Sequence, residues 1–129
     1  MRLLFALCLL FVSGSLFAQD PVAPVQAQLD AYNKRDIEAF LKPYSDTVSV
    51  YFFPNRFLYK GKEQMRKEYG NMFATLPDLH CTLKSRMVIG NTVIDEESVV
   101  FEKNRQPLHA AALYRVQNGL IVAVYFIGE

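Results

Sequence analysis

The chain has 129 residues, with 14 lysines and arginines against 13 acidic residues, and 51% of it is hydrophobic. A length in that range bounds it to one domain with a core of its own. The near-neutral charge, with no basic block or stripe, excludes nucleic acid as an expected partner, and no repeat, low-complexity tract or linker points to a second domain.

Met1-Arg2, an apolar run from Leu3 to Val12 and a small-then-polar stretch from Ser13 to Asp20 follow the order of a secretory signal peptide. Cleavage is expected after Ala18, which gives a signal peptide over 1–18 and a domain over 19–129. The product is expected to be secreted or periplasmic, with no stable membrane span, because the apolar run falls short of the ~20 residues of a transmembrane helix. Cys8 sits inside that run, too early to be a lipoprotein cysteine, so Cys81 is the only thiol left after processing. No internal disulfide is then expected. Cys81 reads most simply as a small buried apolar residue, with a reactive thiol as the alternative.

Pro21 and Pro24 form a short lead-in, with Pro24 placed to start a helix. Val25, Leu29 and Tyr32 follow at i, i+4 and i+7, one helical face. Asp36 can cap a second short helix carrying Ile37, Phe40, Leu41 and Tyr44, closed near Pro43. The pattern then turns β-branched and aromatic: Thr47 to Phe53 predicts a strand, Pro54-Asn55 a turn, and Arg56 to Lys60 a return strand. Alternation sends Tyr51 and Phe53 to one side and Val50 and Phe52 to the other. Gly61 breaks the strand, and Met65, Tyr69, Met72, Phe73 and Leu76 predict a helix that Pro77 ends, with Phe57 and Tyr59 beneath it.

The remainder predicts four long strands, roughly 79–89, 92–103, 107–117 and 120–128. Gly90-Asn91 and Asn118-Gly119 are two-residue hairpin turns of the kind that need positive φ, and Lys103 to Gln106 is a looser turn. The order predicts an α+β domain: three N-terminal helices on one face of a strongly curved antiparallel sheet that closes into a cone. The last strand is apolar on both faces, with Val122, Val124 and Phe126 against Ile121, Ala123, Tyr125 and Ile127. A sheet with one wet face should alternate, so a homodimer packed through the outer face is expected.

Tyr32 to Phe40 (YNKRDIEAF) leading to Tyr44-Ser45-Asp46, the Gly61-Lys62-Glu63 helix start and the closing Tyr114 to Ile121 (YRVQNGLI) resemble the nuclear transport factor 2-like superfamily. The SnoaL-like and ketosteroid-isomerase-like group is the nearest in pattern. The resemblance runs from about Pro24 to Gly128 and implies the cystatin-like cone-shaped α+β barrel; it says little about function, because fold does not decide function. Ketosteroid isomerases keep an aspartate base at the end of the first strand, a tyrosine in the first helix and a protonated aspartate in the penultimate strand. Here those positions fall on Phe52, near Gln28 (with Tyr32 one turn later) and on Ala112. Base and acid are both missing, so the steroid isomerase mechanism is not expected.

Other residues must then carry any chemistry. Asp95 and Glu97 share one face of their strand with Val93, Val99 and Phe101. Two carboxylates so close in a pocket would raise each other's pKa and suit a general base; the competing reading is a solvated acidic stretch. Arg86, expected across from them, is either a ligand-binding residue or half of a structural salt bridge. An arginine between two acids is similar to the water-activating arrangement of the superfamily's epoxide hydrolases, but strands and spacing do not match well enough to transfer it. His80 is expected at the cone mouth as an acid or base, and His109 on the dimer face, although each is more often structural. Tyr32, Tyr51, Tyr69 and Tyr114, with Phe53, are expected to line an apolar pocket, a composition that core packing explains equally well. Two separated histidines give no metal-ligand spacing, and no phosphate loop, nucleophile elbow or nucleotide motif appears, so neither metal nor cofactor is expected.

The expected function is an exported domain that binds a small apolar or amphipathic molecule and catalyses a proton transfer or hydration with Glu97 or Asp95, with His80 as a further candidate. The alternative is a non-catalytic binding or interaction module whose cone is filled by its own aromatic rings. A peripheral membrane binder using the rings of residues 50–59 ranks third, since no lysine-rich face accompanies them.

Overall fold

The computed structural model describes residues 19–128, so the expected signal peptide lies outside the described residues. Helix α1 (Val22–Lys34) starts two residues before Pro24, which fits inside the first turn because its missing N–H has no partner there anyway. Arg35 ends α1 in the left-handed conformation at φ 54°. Asp36 then caps α2 (Ile37–Leu41) by accepting from the Ala39 N–H at 3.1 Å. Tyr44 does not close the face of that helix, as its spacing suggested. It opens strand β1 (Tyr44–Phe52), because Pro43 stops the helical run just before it.

Strand β2 (Arg56–Lys60) returns beside β1, and α3 (Lys62–Thr75) crosses to β3 (His80–Ile89). Strands β4 (Thr92–Val100), β5 (Leu108–Gln117) and β6 (Leu120–Gly128) complete a meander. Strand β4 stops three residues before its expected end. Gly90, Asn118 and Gly119 take the positive φ values that the two tight hairpins demand.

The sheet order is β2-β1-β6-β5-β4-β3. Within the β1–β2 hairpin and the meander every pairing is antiparallel, but β1 runs parallel to β6, from Tyr44 opposite Ile121 to Phe52 opposite Phe126. The sheet is therefore mixed, not wholly antiparallel. Tight turns fix the direction of neighbours in the chain, whereas β1 and β6 are remote in sequence and no turn dictates how they meet.

All three helices contribute to one core on the inner face. Phe40 sits at its centre, 1% exposed, with ring centroids 4.4 Å from Tyr69, 5.3 Å from Tyr44 and 5.4 Å from Phe73. The edge strand β3 is pinned to α1 by Asn33, whose side-chain amide donates to the Cys81 carbonyl at 2.9 Å and accepts from the Cys81 N–H at 2.8 Å. That pair satisfies backbone groups of an edge that has no further strand beside it.

The outer face holds none of the fully buried strand residues. Register places Phe57, Tyr51, Tyr125, Leu113, Ile94 and Met87 side by side in one row across all six strands. Tyr51 stacks on Tyr125 with centroids 4.8 Å apart, and Phe57 packs edge-on to Tyr51 at 5.7 Å. His109 also lies on this face, bonded to Glu96 at 2.8 Å.

Candidate functional site

Between α1, α3 and the inner face of the sheet lies a cavity of about 290 Å³. Phe52, Phe101, Phe126, Leu108 and Met72 give it an apolar wall, and Ala110, opposite Glu97 on β5, leaves room beside the carboxyl. The polar lining is Glu97, Gln28, Cys81 and the hydroxyls of Tyr32, Tyr44, Tyr69 and Tyr114. Among the described residues, no lysine, arginine or histidine lines the cavity.

Strict alternation on β4 buries Val93, Asp95, Glu97 and Val99 and leaves Thr92, Ile94, Glu96 and Ser98 on the other side. Both carboxylates thus point inward, to different fates. Asp95 is fully buried and held by Arg86 in a two-pronged pair, Nε to Oδ1 at 2.7 Å and the second guanidinium nitrogen to Oδ2 at 2.8 Å. The remaining prong of Arg86 donates to the Gln26 Oε1 at 2.8 Å, which ties the pair to α1. All of Arg86's guanidinium nitrogens are engaged in this clamp, and neither member lines the cavity. Of the two readings of Arg86, ligand-binding residue or half of a structural salt bridge, the geometry is that of the salt bridge, and it holds Asp95, expected to work beside Glu97, away from the cavity.

Glu97 is 7% exposed and lines the cavity. Its Oε1 accepts from the Tyr114 hydroxyl at 3.3 Å; Tyr114 in turn accepts from the Gln28 amide at 3.2 Å, and Gln28 Oε1 accepts from Tyr44 at 3.2 Å. Burial first, and the neighbouring Asp95 charge second, push the Glu97 carboxyl from its ordinary 4.5 up to about 7. The Tyr114 hydroxyl, the Cys81 thiol and Arg86 pull the other way without cancelling the rise. A carboxyl poised there exists in both protonation states at neutral pH, which suits proton transfer in either direction.

The other lining groups stay protonated. Burial pushes the Cys81 thiol up to about 12, with the Glu97 charge adding to it, so Cys81 behaves as a buried thiol and not as a nucleophile. Burial likewise raises the hydroxyls of Tyr32, Tyr44, Tyr69 and Tyr114. Tyr32 donates only to the Met72 sulfur, at 3.8 Å, a weak acceptor that a ligand oxygen would readily replace.

Of the residues expected at the site, Glu97, Tyr32, Tyr69 and Tyr114 meet at the cavity. His80, Tyr51 and Phe53 do not. His80 alternates with the buried Cys81 and therefore faces outward, exposed. Tyr51 belongs to the outer row, and Phe53 is 53% exposed past the end of β1; it is Phe52 that turns to the cavity. The alternation of the hairpin was right, and the side assigned to the pocket was the wrong one. Gln28 and Tyr44 were missed as site residues. The signal at Gln28 was legible, since an amide at i+3 from Val25 on the buried face of α1 needs a buried partner.

The SnoaL-like domain model matches residues 25–124 of the chain. The protein belongs to the SnoaL-like domain family. Among solved structures, this SnoaL-like chain resembles an uncharacterised cystatin-fold protein from Novosphingobium aromaticivorans, with a TM-score of 0.76 and 22% identity over 85% of this chain and 99% of that one. It also resembles an LEH-like epoxide hydrolase from M. tuberculosis, with a TM-score of 0.69 and 13% identity over 84% of this chain and 82% of that one. A putative polyketide cyclase from Sinorhizobium meliloti gives a TM-score of 0.69 and 13% identity, covering 81% and 93%. At such identities these likenesses carry the fold, a cystatin-like α+β domain with its helices on a curved six-stranded sheet. No curated protein sequence gives a significant match.

Proposed function

We propose that this SnoaL-like protein is an exported enzyme that binds a small, uncharged, apolar or amphipathic molecule and uses Glu97 as the base for a proton transfer or a hydration. The observation that carries the reading is the Glu97 carboxyl, the one carboxyl that lines the cavity among the described residues, poised at about 7 among aromatic and aliphatic walls. The ionised carboxylate takes a proton from a carbon acid or from an attacking water, and the neutral acid returns it. The tyrosine hydroxyls, Tyr32 foremost, supply donors for a ligand oxygen. An anionic ligand is disfavoured, since the described residues of the wall offer no cation.

The test is turnover of small neutral enones, carbon acids and epoxides by wild type and Glu97→Gln. The reading expects kcat/KM on whichever probe reacts to fall about 10²–10⁴-fold, the usual span of a general base; unchanged turnover removes Glu97 from the role. A second reading, a non-catalytic ligand-binding or interaction domain of the same fold, draws on the small size of the cavity. Tight binding of a probe without turnover of any would favour it.

The apolar outer row supports a homodimer packed sheet to sheet, and the leader-like first eighteen residues support export to the periplasm or beyond. Sedimentation of wild type and Leu113→Lys addresses the first: a dimer that the lysine dissociates is expected, and a monomeric wild type would overturn it.

A further inference from the structure

We propose that Gln28 is a positioning residue that sets the direction of a buried hydrogen-bond chain and thereby holds the Tyr114 proton on Glu97. The chain joins four elements: Tyr44 at the start of β1, Gln28 on α1, Tyr114 on β5 and Glu97 on β4. Tyr44 donates to Gln28 Oε1, Gln28 Nε2 donates to the Tyr114 oxygen, and Tyr114 donates to Glu97 Oε1, at 3.2, 3.2 and 3.3 Å. Each hydroxyl has one proton, so direction at one end of the chain fixes it at the other. As it stands, each hydroxyl proton has an acceptor, and the chain ends on an oxygen that is best served when ionised.

The reverse direction needs a neutral Glu97 donating to Tyr114, Tyr114 donating to a turned Gln28 carbonyl, and the Gln28 amide donating to Tyr44. Tyr44 is 3% exposed, and its proton would then have no acceptor in the chain. An unmade donor at such a site is costly, so the observed direction favours the ionised carboxylate. Gln28 alone among the four carries donor and acceptor on separate, fixed atoms, and only a half-turn of its amide reverses the chain. Gln28 is itself 4% exposed, and it is matched on both sides of the amide.

Glu97 feels two charged neighbours, Asp95 on its own strand and Arg86 on β3. Among the described residues, the remaining titratable groups around it are Cys81 on β3, Tyr32 on α1, Tyr44 on β1, Tyr69 on α3 and Tyr114 on β5; all stay protonated through neutrality, so the chain direction is the free variable. The inference deepens the reading of Glu97 as base, and its test needs no substrate.

The test is an NMR titration of the Glu97 carboxyl in purified protein, assigned by its loss in Glu97→Gln. Gln28→Met keeps length and shape without the amide and is expected to raise the midpoint by about 0.5–1 unit. Tyr114→Phe is expected to raise it further, and the Gln28→Met/Tyr114→Phe double variant to add nothing more, because Gln28 acts through Tyr114. An unchanged midpoint in folded Gln28→Met, or additive shifts in the double variant, overturns the proposal. If Gln28→Met does not fold, Tyr44→Phe asks the same question from the far end: a rise supports the chain and no change overturns it. A wild-type midpoint near 7 with no response to these variants sinks the chain but leaves Glu97 as base, whereas a wild-type midpoint near the ordinary 4.5 sinks the base reading itself.

Discussion

Asp95 and Glu97 stand two residues apart on the same face of β4, yet one is locked and the other is available. At the Asp95 end, Arg86 matches both carboxylate oxygens and Gln26 takes the spare guanidinium prong, so the charges are satisfied and neither residue lines the cavity. At the Glu97 end the partners are a hydroxyl and a thiol, no cation touches the carboxyl, and an apolar cavity opens beside it. The same residue class on the same strand thus becomes a strut in one environment and a candidate base in the other. Partners and desolvation decide, and not proximity in sequence.

Breaking the locked end should have the largest effect. Arg86→Met leaves Asp95 buried without its partner and is expected to cost about 3–5 kcal/mol, measured by denaturant unfolding. Removing the poised charge should have the opposite sign. The folded Glu97 value of about 7 lies above its ordinary 4.5, so its favourable contribution is complete below pH 4.5 and is lost as pH rises through about 7. Glu97→Gln is therefore expected to be more stable than wild type by up to about 3 kcal/mol near pH 8, and the gain should vanish near pH 4. A gain that does not depend on pH would contradict the assignment.

The two ends should also be coupled. Asp95→Asn removes the second cause of the Glu97 shift and is expected to lower its titration midpoint by roughly one unit, alongside a loss of stability from the orphaned Arg86. His80→Ala should do least: the side chain is exposed and away from the cavity, so unfolding free energy is expected to move by less than about 0.5 kcal/mol.

Much of this was legible in the chain, and the failures have identifiable causes. Period-2 alternation along β4 put Asp95 and Glu97 on one face with Val93 and Val99, because a strand leaves its side chains no other choice. It could not say which carboxylate would find the arginine, since the Arg86–Asp95 register depends on an irregularity in β3 between Leu83 and Ser85 that no turn residue announces. The same limit misplaced Tyr51 and Phe53. Alternation separates two faces but does not name the inner one, and the strand that decides it, β6, is apolar on both. Tyr44 was lost at a helix–strand boundary, where a residue next to Pro43 satisfies either pattern. The parallel pairing of β1 with β6 lay beyond reach for a related reason, since it joins strands that share no turn.

The most direct measurement is the NMR titration of the Glu97 carboxyl in the wild-type protein. A midpoint near 7 is predicted, from burial first and from the neighbouring Asp95 charge second. A midpoint close to 4.5 would show that water or a cation reaches the carboxylate, and would contradict the description of Glu97 as a desolvated base poised at neutral pH.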